Sequence, residues 1–204
     1  HAGISVGEDG ATHQCNEDIA LMRTIPGMVI LNPSDDIEAK AAVKAAYEHE
    51  GPVYMRFGRL AVPIINDRPD YKFEIGKGVT LREGKDVAII ATGLCVSESL
   101  AAAEKLAADG IDAKVINIHT IKPLDEDLVV AAAKECGKVV TVEEHSVIGG
   151  LGSAVCETLS RKAPTPVKTI GVQDCFGESG PAVALLEKYG LNAEGIYASV
   201  KEFV

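Results

Sequence analysis

The second half of the chain alternates short apolar runs with segments of helical period. After Asp86, four runs rich in Val and Ile predict strands, and the segments between them have apolar positions every three or four residues. The predicted strands are 87–90, 113–118, 138–142 and 167–172, and the predicted helices are 97–108, 125–135, 152–161, 181–189 and a last one from Asn192 or Glu194 to Phe203. This alternation predicts a three-layer α/β/α domain with a mostly parallel sheet.

The first 60 residues have the same pattern over a shorter length. The predicted elements are, in order, a helix at 14–25, a strand at 28–31, a helix from Ser34 or Asp35 to about Glu50, and a strand at 53–57. Pro26-Gly27 and Gly51-Pro52 end the two helices. We expect this part to be the remnant of an α/β domain that lacks its opening strands.

Between about Ala61 and Lys85 the periodicity disappears. Pro63, Asp67-Arg68-Pro69 and Gly76-Lys77-Gly78 interrupt the segment, which is typical of an inter-domain linker, and a short hairpin is predicted around 74–82. The expected organisation is therefore the C-terminal part of one domain at 1–60, a linker at 61–85, and a second domain at 86–204.

The charge balance narrows the classes of partner. The 204 residues include 30 acids and 20 bases, and the net charge of −10 argues against nucleic acid or an anionic membrane as the main partner. No apolar run approaches the ~20 residues of a membrane helix. The five cysteines are scattered and form no CxxC pair, which indicates reduced thiols and a cytoplasmic protein.

The polar segment from His1 to His13 is the first candidate site. It displays Asp9 and His13 among glycines, and such side chains can hydrogen-bond a sugar or phosphate and shuttle a proton. The alternative is an Asp-Gly turn in which Thr12 or Asn16 caps the next helix, and spacing alone favours that alternative. Because the segment begins without Met, we expect the chain to be a piece of a longer protein.

Arg56 and Arg59 form the second candidate site. They flank Phe57-Gly58 at the end of a predicted strand, where ligands of parallel sheets gather. Two guanidinium groups could clamp a phosphate or carboxylate, and a surface or interface salt bridge explains them at least as well.

Three further features favour structural roles. The run Gly149–Gly152 follows a strand and opens a helix, but it lacks the third Gly of a dinucleotide fingerprint, and the nearby Glu143-Glu144 would repel phosphate. We interpret the run as tight strand-to-helix packing, His119 and His145 as structural or interface residues, and Phe176–Pro181 as a capped loop.

Taken together, these motifs resemble the C-terminal part of transketolase, a thiamine diphosphate enzyme. Three places carry the resemblance: the Gly-Glu-Asp-Gly and Thr-His-Gln of residues 1–14, Arg59 with the following Leu-Ala-Val-Pro, and Phe176-Gly-Glu-Ser179 with Pro181. The run 143–152 is closer to deoxyxylulose-phosphate synthases and to the β subunits of 2-oxo-acid dehydrogenases. The resemblance spans essentially the whole chain. It implies either a longer single chain or, as we expect, the C-terminal subunit of a two-chain transketolase.

The resemblance implies a transferase of the pentose phosphate pathway, which moves a two-carbon ketol unit between sugar phosphates with thiamine diphosphate as electron sink. His1 and Arg59 would hold the phosphate of the sugar. Asp9 would bind the hydroxyl next to the donor's carbonyl. His13, the expected catalytic residue, would contact the two-carbon fragment.

The resemblance also implies what these residues do not supply. The family's cofactor-activating glutamate, its aromatic residues on the cofactor ring, and its diphosphate and metal domain have no counterpart here, so no cofactor-binding or metal-binding residue is assigned. We expect thiamine diphosphate and a divalent cation, Mg or Ca, in the full enzyme only. We also expect an N-terminal transketolase portion or subunit as partner, a homodimer through the α/β domains, and no activity from this polypeptide alone.

Three alternatives stay open. The first is a fragment of a deoxyxylulose-phosphate synthase or of a 2-oxo-acid dehydrogenase β subunit, against which Phe176–Ser179 and Glu8-Asp9-Gly10 favour transketolase. The second is a non-catalytic α/β oligomerisation module, and residues 87–204 are expected to act in architecture and dimer contacts in any case. The third is a flavodoxin-like nucleotide binder, which the incomplete glycine fingerprint and the acidic strand ends disfavour.

Overall fold

The protein is built from eight strands and eight α-helices, and the computed structural model describes all residues from His1 to Val204. The strands are β1 (Val29–Leu31), β2 (Val53–Met55), β3 (Val79–Arg82), β4 (Val87–Ala91), β5 (Ala113–Asn117), β6 (Thr120–Lys122), β7 (Val139–Ser146) and β8 (Val167–Val172). The helices are α1 (Ala11–Gln14), α2 (Asp18–Arg23), α3 (Asp36–Glu48), α4 (Cys95–Ala108), α5 (Glu126–Cys136), α6 (Leu151–Lys162), α7 (Ala182–Lys188) and α8 (Ala193–Phe203).

A five-stranded sheet in the order β3-β5-β4-β7-β8 forms the centre of the second half. Its strands are parallel except for β3, which runs antiparallel to β5. Side chains alternate between the faces of a strand, and along β4 Val87, Ile89 and Ala91 pack against α4 and α8, whereas Ala88 and Ile90 pack towards α5 and α6. The predicted three-layer α/β/α architecture is confirmed. None of the helices is long and apolar enough to cross a membrane.

The first segment of the chain is less regular than its sequence predicts. A short 3-10 helix, Ile4–Asp9, precedes α1, and the single helix predicted at 14–25 is wrong. Cys15 adopts a left-handed conformation with φ of 46°, which separates α1 from the shorter helix α2. Neither Thr12 nor Asn16 caps a helix here.

A second sheet joins the two halves of the chain. Strand β1 pairs in parallel with β2 and antiparallel with β6, which comes from the second half and was not predicted. Ile121 of β6 packs with Ile19 and Ile30 in a small buried cluster. The first 60 residues therefore share a core with the domain that follows them.

The segment 61–85 lies against both halves and contains one strand. The predicted hairpin around 74–82 is wrong, because β3 pairs with β5 and not with its sequence neighbours. The carboxylate of Asp35, which caps α3, accepts the N–H groups of Ile65 and Asn66, each at 2.8 Å. Hydrogen bonding of this kind ties the segment to α3.

Candidate active site

Asp9 and Arg59 form an ion pair on the surface of the protein. Asp9 ends the 3-10 helix, and Arg59 lies in the segment after β2. The Arg59 guanidinium donates to Asp9 Oδ2 and, at 3.5 Å, to the carbonyl oxygen of Val6. The side chains stay 45% exposed for Arg59 and 42% for Asp9, so a ligand can reach the pair from solvent.

His1 and His13 are both exposed. The N–H of Ala2 donates to the carbonyl oxygen of Phe57 at 3.1 Å, which fixes the backbone next to His1 beside the segment that carries Arg59. His13 lies in α1, with its Nδ1 2.9 Å from the Thr12 hydroxyl. The structure therefore joins Asp9 to Arg59 directly and His1 to them through the backbone, whereas no hydrogen bond links His13 to these residues.

The loop before α7 supports the first segment of the chain. The Gln14 amide donates to the carbonyl oxygen of Glu178 at 2.9 Å, and the Ser179 hydroxyl donates to the carbonyl oxygen of Glu8. A Cβ atom at Gly177 would overlap the Gln14 side chain, so only glycine permits this close approach. The loop at 176–181 contributes no exposed reactive group to the Asp9–Arg59 pair, and its contacts hold the candidate site in place.

An open cleft of about 560 Å³ lies between residues 11–17 and 174–177. Asn16 lines it, and the Asn16 Oδ1 atom is buried without a hydrogen-bond partner. A buried acceptor of this kind is unfavourable unless a ligand or water satisfies it. No group of three or more His, Cys, Asp or Glu side chains is placed to hold a metal ion.

Arg56 is buried, unlike Arg59, and the interpretation of Arg56 as part of a ligand clamp is wrong. Its side chain is 1% exposed, and its Nε donates to both carboxylate oxygens of Asp18, at 2.9 and 3.1 Å. Tyr54 donates to the same carboxylate at 2.7 Å. Burial by itself would lower the pKa of Arg56, but Asp18 and Glu144 raise it, so the group is a buried cation. It forms a salt bridge, as the alternative interpretation had it, but the pair is buried within the first part of the chain and does not lie on the surface.

Glu143 occupies the helix N-terminus that the glycine run opens. Its carboxylate accepts the N–H groups of Leu151 at 2.7 Å and Gly152 at 2.8 Å, the first two residues of α6. Side chains at Gly150 and Gly152 would overlap or crowd Glu143 and Thr169. Burial raises the pKa of Glu143 to about 7 against the opposing effect of these hydrogen bonds and of Arg56. The run serves tight packing, as predicted, and the protein's own carboxylate takes the anion position.

Both candidate structural histidines are buried. His145 Nδ1 lies 2.6 Å from the carbonyl oxygen of Ser146, and its Nε2 accepts the N–H of Ala20 at 3.4 Å. The His119 ring stacks on Phe73 with the ring centroids 4.2 Å apart. Burial lowers the pKa of both rings. Both rings lie inside the protein, in agreement with their structural interpretation, and neither is hydrogen-bonded to Asp9 or Arg59.

Two family descriptions match the chain. Residues 76–196 match the transketolase C-terminal domain, and residues 1–64 match the transketolase pyrimidine binding domain. The chain belongs to the transketolase family. The resemblance drawn from the motifs of residues 1–14, from Arg59 and from the Phe-Gly-Glu-Ser segment is thereby confirmed.

Named transketolase subunits are among the similar proteins. A 6-deoxy-6-sulfo-D-fructose transketolase subunit from Clostridium sp. (strain MSTE9) is 47% identical over 200 residues, which cover 98% of this chain and 62% of that protein. A putative transketolase C-terminal section from Methanocaldococcus jannaschii is 47% identical over 204 residues, covering 99% of this chain and 64% of that protein. A 1-deoxy-D-xylulose-5-phosphate synthase from Geobacter sulfurreducens is also similar, at 41% identity over 207 residues, covering 99% of this chain and 32% of that protein.

A solved structure described as a split gene transketolase, inactive beta4 tetramer, superposes with a TM-score of 0.91 at 51% identity. The match covers 99% of this chain and 64% of that one. The chain thus spans a little under two thirds of the length of these transketolase relatives.

The sequence pattern predicted no specific partner for Asp18 or for Glu144. Asp18 pairs with Arg56, and Glu144 accepts a hydrogen bond from the backbone N–H of Ser5. The one sequence signal was the adjacent pair Glu143-Glu144 directly after an apolar run. Acidic residues that continue a buried strand are rarely left without partners. In this transketolase chain the carboxylates of Glu143 and Glu144 are both buried and hydrogen-bonded.

Proposed function

We propose that this chain is the substrate-loop part of a thiamine-diphosphate-dependent transketolase, which moves a two-carbon ketol unit between sugar phosphates. The observation that carries the proposal is the exposed Asp9–Arg59 pair, with His1 tied to the Arg59 segment by a backbone hydrogen bond. Membership of the transketolase family supplies the class of reaction.

Each exposed side chain has a role that suits its chemistry. Arg59 uses part of its five-donor fork on Asp9 and Val6, and the half-exposed remainder can bind a phosphate together with His1. Asp9, a hydrogen-bond acceptor, binds the hydroxyl next to the donor's carbonyl. His13 contacts the two-carbon unit in transfer and can hold or release a proton near neutral pH.

The polar surface of this chain fits the reacting end of a large cofactor. The cleft lined by Ala11, Thr12 and Asn16 leaves room beside α1, the helix that carries His13. When bound, thiamine diphosphate supplies the electron sink for the transfer. We assign the cofactor's diphosphate and a divalent cation, Mg or Ca, to residues outside this chain.

We further propose that activity requires an N-terminal transketolase portion or subunit, and that the assembly is a cytoplasmic homodimer with contacts through the α/β domains. The proposed division of this chain is 1–60, 61–85 and 86–204. Support comes from the similar split-gene chain, whose tetramer is described as inactive, and from relatives named as transketolase subunits and sections.

The test uses the chain together with its complementary transketolase portion, and the same chain alone. The assembly is expected to transfer a ketol unit from xylulose 5-phosphate to an aldose phosphate, and the chain alone to transfer none. The alternative is a deoxyxylulose-phosphate synthase, and a similar protein bears that name. Condensation of pyruvate with glyceraldehyde 3-phosphate, without ketol transfer from xylulose 5-phosphate, would establish this alternative instead. Activity of the isolated chain would refute the proposed division of labour.

A further inference from the structure

Glu144 is a buried carboxylate of the second half that contacts residues 1–13, the proposed substrate segment. It lies near the end of β7 and is 3% exposed. Its Oε2 accepts the backbone N–H of Ser5 at 3.0 Å, at the start of the 3-10 helix that ends at Asp9. The side chain of the neighbouring residue Glu143 makes different contacts, because it caps the N-terminus of α6.

The same carboxylate also lies against two glycines of the candidate site. A Cβ atom at Gly3 would overlap the Glu144 carboxyl group, and Gly3 has a φ of 98° that side-chain-bearing residues rarely adopt. A Cβ atom at Gly58 would lie 3.4 Å from Glu144 Oε1. One residue separates Gly3 from His1, and Gly58 directly precedes Arg59, so the carboxylate lies between the two segments proposed to hold phosphate.

Burial raises the pKa of the Glu144 carboxyl group, and the nearby Arg56 guanidinium opposes this rise. Arg56 donates from Nη2 to the backbone carbonyl oxygen of Glu144 at 3.1 Å, and the Arg56 side chain is shared with Asp18. A buried carboxylate beside a buried guanidinium and a backbone N–H is held in one position, and Glu144 can therefore fix what it contacts.

We propose that Glu144 is a positioning residue for the phosphate-binding part of the transketolase site, setting the distance between the His1 segment and Arg59. The inference rests on the proposed function and gives the second half of the chain a role beyond architecture. Side chains that orient ligand-binding groups must be held by such supporting contacts, and a shift of about 1 Å is enough to lower activity strongly.

The test compares Glu144→Gln with Glu143→Gln in the assembled transketolase. Two ketol donors are used, xylulose 5-phosphate and hydroxypyruvate, which lacks a phosphate. Glu144→Gln is expected to raise KM for xylulose 5-phosphate on the order of ten-fold and to change KM for hydroxypyruvate much less. The reason is that Glu144 lies beside Gly3 and Gly58, next to His1 and Arg59, whereas the contact of Ser179 with Glu8 holds the Asp9 end of the 3-10 helix. Glu143→Gln, equally buried but facing α6, is expected to leave the ratio of the two KM values unchanged.

An equal effect of Glu144→Gln on both donors, or the same change of ratio in Glu143→Gln, would overturn the proposal. If Glu144→Gln does not fold, Glu144→Asp decides by the same ratio, because it keeps the carboxylate but withdraws it by one methylene from the Ser5 amide. A wild-type assembly that uses neither donor would refute the proposed function instead. In that case the contact is still tested in the assembly by hydrogen exchange at the Ser5 amide, which is expected to quicken about ten-fold in Glu144→Gln and to stay unchanged in Glu143→Gln.

Discussion

Arg56 and Arg59 are three positions apart and lie in opposite environments. The Arg59 guanidinium is half exposed and pairs with Asp9, whereas the Arg56 guanidinium is enclosed by Asp18 and the backbone of Glu144. An exposed ion pair contributes little to stability and leaves its groups available to a ligand. A buried one is costly to break, because the partner's charge stays behind without compensation. The two arginines therefore differ in what their removal should change.

Replacing Arg56 with Leu is expected to destabilise the protein by about 3–5 kcal/mol, because Asp18 loses its buried partner. Urea denaturation measures the free energy of unfolding. Arg161→Leu is the matched control, since Arg161 makes a largely exposed pair with Glu126, and its loss is expected to stay within about 1 kcal/mol. An Arg56→Leu cost no larger than that of Arg161→Leu would contradict the structural role.

Replacing Arg59 with Lys is expected to raise KM for a phosphorylated donor roughly ten-fold, because an ammonium cannot reproduce the bidentate fork. The free energy of unfolding should change by less than about 1 kcal/mol, since the Asp9 pair is exposed. Steady-state kinetics of the assembled enzyme measure the effect, with Arg161→Lys as a surface control. An unchanged KM would remove Arg59 from the proposed site.

At the scale of elements, the start of α3 connects two parts of the chain that the sequence separates. Asp35 Oδ1 caps the helix by accepting the N–H of Glu38 at 2.8 Å, and Oδ2 accepts the N–H groups of Ile65 and Asn66. Burial by itself would raise the pKa of Asp35, but these N–H donors lower it below its ordinary value of 3.8. The ionised carboxylate thus stabilises both the helix and the segment after it.

Asp35→Asn is expected to cost about 2 kcal/mol at pH 7, because an amide cannot accept on both sides. Since the pKa of Asp35 is lower in the folded protein, its stabilisation is fully present above 3.8 and is lost as the pH falls through the folded value. The difference between wild type and variant, measured by denaturation at several pH values, should therefore narrow in acid. Asp36→Asn, an exposed neighbour, should show a small difference at every pH. A difference that stays constant into acid would contradict this origin.

At the scale of the whole molecule, two sets of contacts join the two halves. Strand β6 pairs with β1, and the buried Arg56 side chain contacts Asp18 of the first half and the backbone of Glu144 in the second. β6 adds a strand from the second half to the sheet of the first, and Ile121 fills the small core between them. Strand β1, which pairs with β6, also pairs with β2, and Arg59 of the exposed Asp9–Arg59 pair lies four residues after β2. The position of the site therefore depends on contacts between residues far apart in the chain.

Ile121→Ala is expected to cost about 3 kcal/mol and to quicken hydrogen exchange in β1 relative to β4, because β1 loses the packing of its neighbour. Hydrogen exchange followed by mass spectrometry measures both strands. Ile116→Ala, equally buried in the five-stranded sheet, should lower stability without a selective effect on β1. Equal exchange profiles in the two variants would show that β6 does not hold the halves together.

Most of the regular elements could be predicted because their signals are local. Strands such as 87–91 and helices such as 126–136 follow from apolar runs, helical periods and terminal glycines or caps. The predicted hairpin failed because β3 finds its partner in β5, and β6 went unnoticed because three residues carry too little pattern. The helix predicted at 14–25 failed at Cys15, whose left-handed backbone no local residue preference demands.

The sequence by itself determined the fold class and the family, because apolar periodicity and a dense motif are properties of neighbouring positions. Only the tertiary structure decided that Arg56 is buried, that Glu143 caps α6, and that Glu144 lies against Gly3 and Gly58. Arg56 and Asp18 are 38 positions apart, and Ser5 and Glu144 are 139 apart. The environment of a charged side chain depends on partners that folding brings together from distant positions. A local sequence pattern therefore cannot predict which partners those are.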